Sequence, residues 1–565
     1  MNQPTPAIVA QSAVRRLPRW ALLLLCLAYV LPGFVGREPW KNADIAAFGY
    51  MAALAAGDSG WLAPQLLGLA PEFDALLPYW LGAWAIQAAP GWMTSAFAAR
   101  IPFAMLLAAT LLATWYAVYY LARSPRAQPV AFAFGGEAQP IDYARAMADG
   151  GLLALIACLG LALLSHETTP SVAQLAFTAF AFYAAAAAPH HLMRACVALI
   201  VSLVGLSASG APTLALLLGI GVALTSGLSD ASADPAMQPH RIRRRWTLFV
   251  LLVTACVALL STQLDVWRWR VGLYGNAGSD WRSAGRLLIW FTWPAWPLAV
   301  WTLWRWRRQL TSRHVALPLW FVGVCTVMAL VTPNSERSLL LGLPSLAALA
   351  AFALPTLRRS VAALIDWFTL LFFSGCAVVI WVVWIALQTG VPAQPAANVA
   401  RLVPGFVPGF SAMGFGVALA ATVAWAWLVR WRAGRHRTVI WKSLVLPASG
   451  AALGWLLLLS LWLPVLDYAR SHGDTARAVA DRISRTHCVE VLGLSRGQIA
   501  AYRYHGALNL RNPGVVAQCP WLVVDAGAQS TLQVVLDMRQ WTLVAAVKRA
   551  TDSNENVLLF ERSGL

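Results

Sequence analysis

Long apolar runs recur along this chain, broken by short clusters of arginine, tryptophan, proline and glycine. They fall at roughly 20–36, 101–121, 150–164, 171–188, 194–208, 211–228, 247–263, 286–304, 316–331, 338–355, 362–388, 411–429 and 443–464. A helix rising 1.5 Å per residue needs about 20 such residues to cross the hydrocarbon layer, and it satisfies its own backbone on the way. Strands of a membrane barrel would be shorter and would alternate. The pattern therefore predicts a polytopic α-helical membrane protein with about thirteen transmembrane helices. The first run follows Arg15, Arg16 and Arg19 and lacks a small-residue cleavage site, so it reads as a retained helix.

Two stretches depart from this pattern. Residues 36–100 are long and rich in Pro, Gly and Trp, and carry most of the local acids. Helical periodicity appears at 42–56 and 76–89, apolar on one side only, which suits helices lying in the interface. Residues 465–565 change character again. "DTARAVADRISR" reads as an amphipathic helix capped by Asp474. "CVEVLG", "WLVVDAG", "WTLVAAVK" and "NVLLFER" read as short buried strands. The expected division is a membrane domain at 1–464, with 36–100 as its long first outer loop, and an extracytoplasmic α/β domain at 465–565.

Composition agrees: 59% of residues are hydrophobic and 12% charged. The net charge of +18 would suggest nucleic acid in a soluble protein. Here the arginines cluster between apolar runs, as in "HRIRRRW", "RWRRQLTSRH" and "RWRAGRHRTVIWK", and alternating spans put these clusters on one side. That side is expected to be cytoplasmic, with the N-terminus, and the tail then lies opposite. Nucleic acid is not expected as a partner; membrane lipids are. Six cysteines lie in apolar runs as small core residues. Cys488 and Cys519 lie in the tail and are either a disulfide, if the tail is outside the cytoplasm, or two buried thiols.

The acids are few and gather at the outer ends of spans. Glu38, Asp44, Glu72 and Asp74 lie in the first loop, and "SHETTP" sets His166 and Glu167 in a tight outer turn. Acids in mid-span, which mark ion relays, are nearly absent, which speaks against an ion-coupled transporter. A carboxylate at the outer face can act as general base. Glu38 and Asp44 follow a span directly and are the catalytic candidates; Glu72, Asp74, His166 and Glu167 are supporting ones. The alternative for "KNAD" is a plain helix start, and for His166 and Glu167 a closed hairpin. Arg268 and Arg270 in "VWRWRVGLYGNAGSDWR", Arg337 in "ERSLLLGLPSLAAL" and, in the first loop, Lys41 are candidates for holding a phosphate. An aromatic belt with snorkelling arginines is the other reading of the Arg/Trp loop.

Several stretches together resemble polyprenyl-phosphate-dependent glycosyltransferases of the GT-C fold, the protein-mannosyltransferase-like group, and are similar to bacterial lipid A aminoarabinose transferases. "REPWKNADIAAFGYM" resembles the acidic segment after that family's first helix, with Arg37 where the family has an acid. "GDSGWLAPQLLG", "PEFDALLPYWLGA", "ERSLLLGLPSLAALAA" and "LPVLDYARS" resemble its later motifs. The resemblance implies an inner-membrane enzyme moving a sugar from an undecaprenyl-phosphate-linked donor to a lipid or glycolipid acceptor at the periplasmic face. It places Glu38 and Asp44 at the acceptor and Arg337 near the donor's phosphate. It implies no fixed cofactor and leaves a divalent metal open. The competing class is a non-catalytic membrane protein: a flippase, a transporter or an envelope assembly partner.

Overall fold

The computed structural model describes residues 5–72, 74–228, 240–267, 281–332, 335–433, 439–483, 488–513, 518–528, 538–549 and 551–563. Helices cover each of the thirteen expected apolar runs in whole or in part, and among the described residues eight helices are long and apolar enough to cross a membrane. The chain is a polytopic helical membrane protein with a small C-terminal sheet. Two compact units interleave along it. One comprises 1–34, 103–377 and 417–457; the other comprises 35–102, 378–416 and 458–565.

Within the first unit, the helix Ser335–Ala353 is central. It packs against Pro140–Ala157, Pro170–Ala187, Ala295–Arg305 and Arg313–Val331. Its most apolar stretch is 89% buried, against 22% for Arg359–Thr389, most of whose side chains are not covered by the rest of the chain. Small residues make the close packing possible: a Cβ on Gly205 would lie 2.5 Å from the Phe177 ring. Two span limits need correction. The run expected at 150–164 is a helix over Pro140–Ala157, followed by one turn at Leu161–Leu164. Proline needs no N–H partner in the first helical turn, so Pro140 starts the helix ten residues early, through polar residues that hide it from an apolar count. The run expected at 286–304 is two helices, Trp281–Phe291 and Ala295–Arg305, parted at Pro294, which offers no N–H to continue the ladder.

Mid-span acids are few, and those present are satisfied. Asp149 accepts the Trp115 indole N–H at 2.9 Å, and Asp366 pairs with Arg432.

In the second unit, the first-loop helices Ala43–Ala56 and Leu77–Ala88 pack on each other, and the former also packs on the tail helix Arg496–Tyr504. The sheet has five strands: β1 Cys488–Leu492, β2 Asn509–Arg511, β3 Trp521–Asp525, β4 Trp541–Arg549 and β5 Asp552–Arg562. Their order is β2-β1-β3-β5-β4. β1 runs parallel to β2 and β3, with Val489 opposite Trp521, and β5 is antiparallel to both β3 and β4. Strand β2 has no counterpart among the four expected strands; three residues are too few to leave a periodic signal. Leu522, Val524, Trp541 and Phe560 form the sheet's apolar core. Asp474 is not the helix cap expected: the helix is Gly473–Ala480, His472 stands at its N-cap, and Asp474 in the first turn pairs with Arg477 at 2.6 Å. Cys488 and Cys519 are bonded, with Cα atoms 5.2 Å apart, where β1 and β3 lie side by side.

Candidate active site

The segment 37–44 and the helix Leu463–Arg470 meet inside the second unit. Arg37 and Asp44 form a buried ion pair at 2.9 Å, with side chains 0% and 2% exposed. The same Asp44 oxygen accepts the Trp40 backbone N–H at 3.2 Å. The Arg37 guanidinium lies 4.5 Å from the centre of the Trp40 ring, and the Arg37 carbonyl accepts from the Arg100 guanidinium. Breaking a buried charge pair is strongly destabilising, so the pair ties this segment down. It makes Asp44 a residue that holds the loop, and it explains why a cation stands at 37.

Asp467 sits on the other side of Trp40. Its Oδ1 accepts the Trp40 indole N–H at 2.7 Å and the Glu38 backbone N–H at 3.4 Å. Burial, with the nearby Glu38 charge adding to it against the Trp40 bond, pushes the Asp467 carboxyl up to about 6. Glu38 is half-buried beside it. A Cβ on Gly473 would lie 3.1 Å from Glu38 Oε2 and 3.2 Å from the Arg477 guanidinium, so this helix start backs directly onto the Glu38 carboxylate. The turn that presents these groups is strained at Asn42, whose φ of +71° falls where side chains are rarely accommodated.

Lys41 is fixed at both ends. Its N–H donates to the Arg470 carbonyl at 2.7 Å, and its Nζ lies 3.6 Å from Glu555 on β5. Glu555 is also held by Arg549, and Arg470 stands over Trp40 at 5.1 Å. Two tail histidines line this region. Burial, then the Arg549 charge, pushes His472 down to about 4, and burial lowers His505.

The structure thus brings Glu38, Lys41 and Asp44 together with Asp467. Of the other first-loop acids, Glu72 is exposed and Asp74 half-buried, both just before Leu77–Ala88. His166, Glu167 and Arg337 belong to the first unit. His166 is fully buried against Tyr29, Phe34 and Trp455, its Nε2 3.1 Å from the Tyr29 carbonyl. It is a core residue there. Glu167 pairs with Arg337 at 2.9 Å, and Arg337 also donates to Ser171 Oγ at 3.4 Å. Arg268 and Arg270 lie outside the described residues. Asp467 is not evident from sequence pattern alone; the single acid of "LPVLDYARS", one helix turn past a proline, is the available signal. Among the described residues no three His, Cys, Asp or Glu side chains gather in a way that could hold a metal ion.

A largely helical chain with a small C-terminal sheet is the GT-C fold that the sequence motifs suggest. Solved structures that share it include those of ArnT from Cupriavidus metallidurans. One is bound to undecaprenyl phosphate and one is in the apo state; their TM-scores are 0.59 and 0.58, at 14% identity, covering 96% of this chain and 98% of theirs. No family profile and no curated protein matches the sequence.

Proposed function

We propose that this protein is an inner-membrane glycosyltransferase that moves a sugar from an undecaprenyl-phosphate-linked donor to an acceptor at the periplasmic face, a lipid A or another envelope glycolipid. The observation that carries this reading is the likeness along nearly the whole chain to an ArnT structure bound to undecaprenyl phosphate. The chemistry of the second unit is compatible with it. Glu38 is the general base: it takes the proton from the acceptor hydroxyl as the oxygen attacks the anomeric carbon. The bond from that carbon to the phosphate oxygen breaks with inversion, and the polyprenyl phosphate leaves already ionised. Asp467 fixes Trp40 and the Glu38 backbone, so it positions the base. Asp44 keeps Arg37 in place. Lys41, oriented by Glu555, is the cation of this unit that we assign to phosphate, and Arg337 is a separate candidate for the same chemistry. On this reading the N-terminus is cytoplasmic and residues 465–565 are periplasmic.

The test is transfer of radiolabel from a polyprenyl-phosphate-linked sugar by purified protein in lipid. Glu38→Gln is expected to lower kcat by about 10²-fold or more with an unchanged melting temperature, the loss typical of a missing general base. Full activity in Glu38→Gln would remove Glu38 from the mechanism. Failure of the wild-type protein to transfer sugar from any lipid-linked donor would sink the enzyme reading.

A further inference from the structure

A second feature of the first unit has no place in that chemistry. A groove of about 680 Å³ runs between Ser95–Ala122, Pro170–Ala187 and Leu192–Ala208. Its walls are apolar along most of its length: Leu112 and Ala113 stand on the first helix, with Val197 and Val201 on the third. At one end it turns polar, with Tyr116, Tyr183 and the exposed Arg194. Residues 112, 113 and 116, and residues 194, 197 and 201, follow helical spacing, so each set lies on one face of its helix. The polar end is also the end where Arg123 stands over the Tyr119 ring and where Arg313 donates to the Ala185 carbonyl. Among the described residues, none of Arg123, Arg194 and Arg313 pairs with a carboxylate. Tyr120 touches both His190 and His191 there; burial, with the Arg123 and Arg313 charges, pushes His190 down to about 4, so the positive charge is that of the arginines.

Glu167 precedes the helix Pro170–Ala187 and His190 follows it, so the groove's basic rim and the Arg337–Glu167 pair lie at opposite ends of a helix ~27 Å long. An apolar trough ending in tyrosine hydroxyls and unpaired arginines has the polarity of an amphiphile with an acidic head. A soluble anion would have no use for the trough, and a neutral lipid none for the arginines. We propose that this groove is a binding site for an anionic glycerophospholipid of the surrounding bilayer, with its phosphate at Arg194 and Arg123 and an acyl chain along the Leu112 and Val197 faces. The site is independent of sugar transfer.

The experiment is native mass spectrometry of the full-length protein, with phosphatidylglycerol, phosphatidylcholine or undecaprenyl phosphate added. Phosphatidylglycerol is expected to be retained in clear preference to phosphatidylcholine. Arg194→Gln should reduce that retention roughly fivefold, the effect of one basic residue at a lipid headgroup. Arg358→Gln, which removes the same charge from an exposed site away from the groove, should leave it unchanged, and Val197→Trp should displace the lipid by filling the trough. Equal retention of the two phospholipids, or unchanged retention in Arg194→Gln, would overturn the proposal. So would displacement by equimolar undecaprenyl phosphate, which would make the groove a polyprenyl-lipid site.

Discussion

Asp44 and Glu38 lie six residues apart in different surroundings. Asp44 is sealed against Arg37, so removing its charge strands a buried guanidinium. Asp44→Asn is therefore expected to cost about 3–5 kcal/mol, read as a large fall in melting temperature in detergent, whereas Arg37→Met with Asp44→Leu should recover much of it because no charge is then left unpaired. Equal melting of Asp44→Asn and wild type would place that pair on the surface. The pH response has a sign that can be worked out. Asp467 titrates at about 6, above its ordinary 3.8, so between those values the folded protein holds the extra proton and this residue's contribution to stability falls as pH rises. His472 at about 4, and the lowered His505, act oppositely: below their ordinary 6.5 the unfolded chain holds the extra protons, so stability rises with pH. The terms oppose one another between about pH 4 and 6. Asp467→Asn should thus steepen the rise of melting temperature across that window, and His472→Gln should flatten or reverse it. A slope unchanged by both would refute these assignments.

At the scale of elements, the helix Ala43–Ala56 is the joint between the first loop and the tail. A Cβ on Gly49 would sit 2.5 Å from the Ala500 Cβ on the tail helix Arg496–Tyr504. Neither partner is a long side chain that could swing away, so Gly49→Val is expected to force the helices apart at a cost of about 1–3 kcal/mol and to speed proteolysis within 496–504. The tail helix starts with a reciprocal capping box: Ser495 Oγ accepts from the Gln498 N–H at 3.3 Å, and Gln498 Oε1 accepts from the Ser495 N–H at 2.7 Å. Ser495→Ala should lower stability by about 1 kcal/mol in a chemical melt of the same unit. The four longer strands and the first-loop helices were legible in the sequence. Start points such as Pro140, and the break at Pro294, were not, because an apolar count averages over the single residues that set helix ends.

For the whole molecule, the Cys488–Cys519 bond is a probe of both fold and compartment. A disulfide closing a loop of this size stabilises by about 2–4 kcal/mol and persists in oxidising surroundings. The Cys488→Ser, Cys519→Ser double variant should melt earlier by a corresponding amount. Protein taken from cells under trapping conditions should leave both thiols unlabelled by maleimide, and a reporter fused after Leu565 should be active only outside the cytoplasm. Labelled thiols together with cytoplasmic reporter activity would reverse the proposed orientation. The sequence by itself determined the class: apolar runs of membrane length can be satisfied only as helices, and alternating apolar segments in a polar tail can hide only in a sheet. It also marked Glu38 and Asp44, since acids are costly near a membrane and their positions stand out. What only the tertiary structure decided is which acid is locked and which is presented. That depends on Arg37 and Trp40 in the first loop and on Asp467, more than 400 residues further along the chain and joined to Trp40 by a contact that no local pattern records. The grouping of the first loop with the tail in one compact unit is of the same kind, because packing follows complementary surfaces and not proximity in sequence.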